Sequence, residues 1–254
     1  MFAPKFWYQP KPSLTAYALW PLAMLYAGIA DLNGRRRARN PYYAAVPVIS
    51  VGNLVVGGAG KTPVVQGLAS YYAAKGYQVA IISRGYGGQS TLPIQVSPHL
   101  HSAAEVGDEP MAMARHFRGQ SVSVWVGRNR AAVVRRAEQA GATLMILDDG
   151  FQRRDVARQA DILVINGSHS KPGSSVWGNG LPLPAGPLRE TLPNRSRAHF
   201  AIVLNEQPQS PIPYYGLPSY RLETRLNPDS LAPLRGKSLV AFAGLAHPSA
   251  GIQV

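Results

Sequence analysis

Residues 46–51 read Val-Pro-Val-Ile-Ser-Val, and residues 55–62 read Val-Val-Gly-Gly-Ala-Gly-Lys-Thr. An apolar strand that runs into glycines, then Gly-Lys-Thr, then a helical pattern is the layout of a phosphate-binding loop. Glycines let successive backbone N–H groups turn toward phosphate oxygens. Lys61 can reach the β- and γ-phosphates, and the Thr62 hydroxyl can serve Mg²⁺. The helix that follows directs its positive end at the same anion. Residues 55–62 (Val55, Val56, Gly57, Gly58, Ala59, Gly60, Lys61 and Thr62) are therefore the candidate nucleotide site. One departure stands out. The common motif opens with Gly six residues before the Lys, and this chain has Val55 there.

Working outward, the chain has 254 residues, 46% of them apolar, which suffices for one α/β domain with a sizeable core and a small further lobe. It has no cysteine, which excludes a disulfide framework and thiolate metal sites. A formal net charge of +13 favours anionic partners: nucleic acid, an acidic membrane surface or a phosphorylated substrate.

Part of that charge flanks the first apolar run. Residues 1–40 carry Lys5, Lys11, Arg35, Arg36, Arg37 and Arg39 against Asp31 alone, and Ser13–Ala30 is uncharged, with Tyr17, Trp20 and Tyr26 in it. Its readings are a signal peptide, a spanning helix, a helix in the membrane interface, or a helix packed on the protein's own core. Aromatic and apolar residues beside an arginine cluster suit an interfacial helix on anionic lipid, at the cytoplasmic face of a membrane where ATP is available.

Beyond the glycine loop, the pattern predicts helices over 61–75, 108–117 and 129–140, and strands over 78–83, 92–96, 122–126, 143–147, 161–166 and 199–204. This alternation predicts an α/β fold with a mostly parallel sheet and helices on both faces. Residues 167–197 are rich in Gly, Pro, Ser and Arg and read as a long loop, which at this length is commonly functional or disordered. The expected division is a membrane-associated segment at 1–40, a core at 41–206, a proline-rich linker at 207–218 and a partial C-terminal lobe at 219–254, with strand candidates at 220–224 and 238–243.

Three further clusters carry chemistry. Thr143–Leu147 followed by Asp148-Asp149 has the form of a strand that delivers carboxylates to a metal beside a phosphate loop. Two adjacent aspartates can divide the work between the metal and a water or the loop itself. Gly107-Asp108-Glu109-Pro110 opens a helix with two acids, read equally well as charges complementing the helix dipole or as a base toward a substrate hydroxyl. Arg84, Arg128, Arg130, Arg153, Arg154 and Arg189 follow strands, at the edge where open α/β sheets bind ligands, and suit an anionic substrate. His247, a lone histidine beside a proline, is open to a structural or a functional reading.

In chain order these motifs are Gly52-Asn53-Leu54 through Lys61-Thr62-Pro63, Ser83-Arg84-Gly85-Tyr86-Gly87, Gly107-Asp108-Glu109-Pro110, Asp148-Asp149-Gly150-Phe151-Gln152 and Leu183-Pro184-Ala185-Gly186-Pro187-Leu188-Arg189-Glu190. The set closely resembles the tetraacyldisaccharide 4′-kinases, the lipid A 4′-kinases of Gram-negative bacteria, from the N-terminal apolar segment to about Pro248. The family shares the missing first glycine. The resemblance implies ATP-dependent phosphorylation of the 4′-hydroxyl of an acylated, 1-phosphorylated glucosamine disaccharide in lipid A synthesis. It implies Lys61 on phosphate, with Thr62, Asp148 and Asp149 at Mg²⁺, Asp108 as base and His247 supporting it. It also implies Arg84, Tyr86 and Arg189 near the reacting groups. Arg189 is assigned with the catalytic residues, and Arg84, Tyr86, Glu109 and Arg128 with the substrate. Members continue past the Gly-Leu-Ala-His-Pro of 244–248 with aromatics soon after, so the expected C-terminal lobe is partial here.

Two rivals are weighed against this. A metallochaperone-type GTPase or other P-loop ATPase often has Lys before the paired glycines, where this chain has Val56, and the guanine-reading Asn-Lys-x-Asp is absent. A basic nucleic-acid-binding protein lacks any motif in its favour, so no nucleic-acid partner is expected.

Overall fold

The computed structural model describes residues 3–167, 175–205 and 216–223. All five residues of β1 (Val48–Gly52), β2 (Val79–Ser83) and β5 (Leu144–Asp148) are buried. Strands that are apolar on both faces need a covering layer on each side. These strands lie at the centre of an eight-stranded sheet ordered β3-β4-β2-β5-β1-β6-β7-β8. The others are β3 (Ile94–Gln95), β4 (Val122–Val126), β6 (Ala160–Asn166), β7 (Phe200–Leu204) and β8 (Ser219–Leu222). Every pairing is parallel except that of β3 with β4. The α/β reading, with a mostly parallel sheet covered on both faces, holds.

On one face, Val64, Val65 and Ala69 of α2 (Lys61–Ala74) and Met111 and Met113 of α4 (Asp108–His116), which follows the short α3 (Ala103–Val106), pack on Ile81, Ile146 and Ile162. On the other, Val133, Val134 and Ala137 of α5 (Arg130–Gln139) pack on Ile82, Met145 and Leu147. Beside α5 that second face is closed without a helix. Trp177 and Leu188, from the segment read as a long loop, pack with Phe151, Leu163 and Val203. Burying side chains of this size contributes about 1.5–3 kcal/mol each. The loop's order comes from its own bonds: the Asn179 amide donates to the Ala185 carbonyl (2.9 Å), and the Leu181 N–H to Asn179 Oδ1 (3.1 Å). It ends in a 3-10 turn, Leu192–Arg197.

A 25-residue helix, α1 (Leu14–Ala38), precedes the sheet and is capped by the Ser13 hydroxyl. Among the described residues no helix is long and apolar enough to cross a membrane. The helix buries only Ala16, Ala23, Ala27 and Gly34. Leu14, Tyr17, Leu22, Leu25, Ile29 and Leu32 along it are more than half exposed. Of the strand expected at 220–224, Ser219–Leu222 pairs with β7 and extends the main sheet. His247, the strand expected at 238–243 and most of the expected linker and C-terminal lobe lie outside the described residues.

Candidate active site

The phosphate loop leaves β1 at the sheet's centre. Gly60 caps α2 with φ 76°, a left-handed conformation that glycine adopts without strain. Lys61 follows as the first helical residue. Its ammonium donates to Asn53 Oδ1 (3.2 Å) and lies 3.5 Å from the Asp149 carboxylate. Asn53 is buried, and its amide also donates to the Val55 carbonyl (2.5 Å), so one side chain ties the lysine to the loop.

Arg189 reaches the same carboxylate, with Nη1 at 3.0 and 2.8 Å from the two oxygens. Backbone pairing brings it there. The Arg189 N–H donates to the Leu54 carbonyl (2.7 Å), and the Val56 N–H donates to the Pro187 carbonyl (2.8 Å). The segment thus lies as a strand fragment along the mouth of the phosphate loop. Burial raises the Asp149 pKa, but Lys61 and Arg189 outweigh it and hold the carboxyl below its ordinary value.

The two aspartates have different surroundings. Asp148 is the last residue of β5, one position further into the strand than expected, so its side chain is buried beside Ser83, whose hydroxyl donates to Oδ2 (3.3 Å). Its Oδ1 has no hydrogen-bond partner. Burial, then Glu109 and Asp149, push its pKa up to about 6. Asp149 comes next with φ 52°, uncommon for a residue with a side chain, and faces Lys61.

Asp108 and Glu109 open α4, both exposed. Glu109 accepts a short hydrogen bond from the Thr62 hydroxyl, and its charge bears on Asp148. It therefore sits with Thr62 and Asp148 at the head of α2 and the end of β5. The Arg84–Gly88 loop lies on the turn before Asp108: a Cβ on Gly107 would sit 2.7 Å from the Tyr86 carbonyl oxygen, and Gly107 has φ 95°. This contact seats the loop carrying exposed Arg84 and Tyr86 against the turn before Asp108.

Between α1 and the strand ends opens a cavity of about 510 Å³. Its lining includes Arg37, Arg84, Arg128, Arg130, Arg153, Arg189 and Arg197, against Asp31, Asp149 and Glu190, so it favours anions. Tyr26 and Ile29 of α1 form its apolar wall. A second cavity, about 520 Å³ and mostly apolar, lies across the loop between Trp7, Tyr8, Ile165 and Val176, and shares Val56 with the first.

Sequence reasoning missed the roles of Asn53, Gln152, whose amide donates to the Asn53 carbonyl (2.8 Å), and Arg130, whose buried Nη2 donates to the Asp148 carbonyl (2.9 Å). Burial lowers the Arg130 pKa to about 10. Among the described residues, no three His, Cys or acidic side chains gather to hold a metal alone. Mg²⁺ commonly takes only one or two carboxylates and shares its remaining positions with phosphate and water.

A family model described as tetraacyldisaccharide-1-P 4′-kinase matches residues 15–252. The chain is 40% identical over 255 residues to the tetraacyldisaccharide 4′-kinase of Rhodospirillum centenum, covering 98% of this chain and 72% of that protein. It is 37% identical over 248 residues to that of Gluconobacter oxydans, covering 96% and 71%. Among solved structures it resembles the "apo" form of LpxK from Aquifex aeolicus in complex with ATP: TM-score 0.69, 32% identity, 81% of this chain and 64% of that one.

Proposed function

The chain belongs to the tetraacyldisaccharide-1-P 4′-kinase family, and from that premise we propose that it transfers the γ-phosphate of ATP to the 4′-hydroxyl of an acylated disaccharide 1-phosphate in lipid A synthesis. The observation that carries the reading is the composition of the first cavity. One wall holds Asp149, Arg189 and Arg84 at the phosphate loop, and the opposite wall is α1, with Tyr26 and Ile29. An acceptor with phosphate at one end and acyl chains at the other matches that pair of walls.

In this reading Lys61 and residues 55–60 hold the nucleotide phosphates, and Lys61 neutralises charge on the transferring group. The acceptor hydroxyl oxygen bonds to the γ-phosphorus as the bridge to ADP breaks, and the hydroxyl proton passes to Asp108. His247 supports Asp108. Arg84, Tyr86 and Arg128 position the acceptor, and Arg189 faces the transferred phosphoryl group. The Thr62 hydroxyl, the unpartnered Asp148 Oδ1, Asp149 and Glu109 are hard oxygen donors that suit Mg²⁺. When bound, Mg²⁺ would neutralise phosphate charge during transfer.

The anionic cytoplasmic face of the inner membrane is the proposed place of work. Exposed apolar residues on α1, followed by Arg35, Arg36, Arg37 and Arg39, fit a helix lying in a lipid interface. The test is transfer of radiolabelled γ-phosphate from ATP to a tetraacyldisaccharide 1-phosphate in detergent micelles. Labelled lipid is expected. Release of free phosphate with no labelled lipid would favour a P-loop ATPase instead.

A further inference from the structure

Arg130 is in an unfavourable place for a cation. It is the first residue of α5, where the helix dipole is positive, and only 3% of it is exposed. Among the described residues no carboxylate lies within ion-pair distance of it, and its Nη1 has no hydrogen-bond partner. Burying a charge this way is costly. Its Nη2 donates to the Asp148 carbonyl, 2.9 Å away.

That carbonyl belongs to the peptide linking Asp148 to Asp149, and Asp149 has a left-handed φ of 52°, unfavourable for a residue with a Cβ. On the far side, Arg158 Nη1 donates to the Gly150 carbonyl (2.8 Å), while Arg158 Nε pairs with Asp161 at 3.0 Å. Guanidinium groups from outside the motif therefore hold the carbonyls before and after Asp149.

We infer that Arg130 is a positioning residue for phosphoryl transfer: it fixes the Asp148–Asp149 peptide and so aims the two carboxylates. The inference rests on the kinase reading for its reaction, though not for its geometry. Arg130 touches neither Lys61 nor Arg189 by hydrogen bond; it acts through the turn that presents Asp149 to both. The carboxylate pair serves the metal side of the nucleotide, so disorder in this turn weakens nucleotide binding chiefly when Mg²⁺ is present.

The test uses the full chain with Arg130→Met, which keeps side-chain length but removes the donor and the charge, and Arg130→Lys, which keeps the charge and one donor. Calorimetry measures binding of a non-hydrolysable ATP analogue, with Mg²⁺ and with EDTA. R130M is expected to lose about 10-fold or more in affinity with Mg²⁺ and little with EDTA. Its kcat per folded molecule should fall by up to roughly 10²-fold, as misplacement of a site by about 1 Å does. R130K should recover most of both. If R130M does not fold by circular dichroism, Arg130→Gln, with a donor but no charge, replaces it and should show a smaller loss of the same Mg²⁺-dependent kind. Equal losses with and without Mg²⁺, or wild-type binding and turnover per folded molecule, would overturn the inference. Absence of transfer by the wild-type chain would overturn the kinase reading alone, since the binding arms do not need turnover.

Discussion

Lys61 and Arg189 meet on one carboxylate: Asp149 receives Arg189 Nη1 at 2.8 and 3.0 Å and lies 3.5 Å from the Lys61 ammonium. Two cations from segments far apart in the chain are thus stored beside the phosphate loop, and the anion that stores them is one a phosphate can replace. Lys61→Ala should lower turnover by roughly 10²-fold or more, about 3 kcal/mol of lost stabilisation of the transferring group. Steady-state kinetics on purified variant checks this. Near-normal turnover would sink the assignment of residues 55–62.

Asp108 and Glu109 are adjacent, but only Glu109 bonds Thr62. Asp108→Asn should lower kcat by roughly 10²- to 10⁴-fold with ATP affinity little changed, as removal of a base does. Glu109→Gln should instead raise the Mg²⁺ concentration needed for half-maximal rate. Exchanged phenotypes would mean that the base and the metal-side acid are swapped.

Asp148 links the site to stability. Its pKa is raised by burial to about 6, above the ordinary 3.8. The folded protein therefore binds the proton more tightly than the unfolded chain. Metal-free stability should be highest below about pH 4 for this group and fall as pH rises to about 6, by up to roughly 3 kcal/mol. In EDTA, Asp148→Asn should raise the melting temperature at pH 7.5 and confer no gain at pH 4, while abolishing most activity. An equal shift at both pH values would show that the carboxylate is not the source.

Replacing Arg35, Arg36, Arg37 and Arg39 with Gln should weaken binding to anionic vesicles by up to about 1 kcal/mol per charge, and less at high salt. Co-sedimentation across a salt series measures it. Wild-type binding by the variant at low salt would remove the electrostatic part of the membrane reading.

The parts of this architecture that are legible from sequence are those whose signal is local. The strand before the phosphate loop, Gly60-Lys61-Thr62 and the Asp148-Asp149 strand end each carry their pattern within about ten residues. What stayed hidden depends on partners distant in the chain. Thr62 and Glu109 are 47 residues apart, and Gln152 and Asn53 are 99 apart. Arg130 sits where a surface helix start is the ordinary expectation, and only burial shows that it faces the Asp148 carbonyl. Residues 167–197 read as loop because proline and glycine suppress any period, yet Trp177 and Leu188 are core residues. In α1 large apolar residues recur on most sides, so periodicity could not choose a face; alanine and glycine chose it.

Those small residues act as a shim. Ala16, Ala23, Ala27 and Gly34 are the residues that α1 buries, so they help set how closely it approaches the rest of the protein, and α1 forms a wall of the arginine-rich cavity. The clearance of that cavity therefore depends in part on methyl groups and a hydrogen that contribute no charge to it. A side chain larger than a methyl at Ala16, Ala23 or Ala27 would push the wall outward and loosen the fit of an acceptor, so the gauge of the site can drift by substitutions that no inspection of its polar residues would flag.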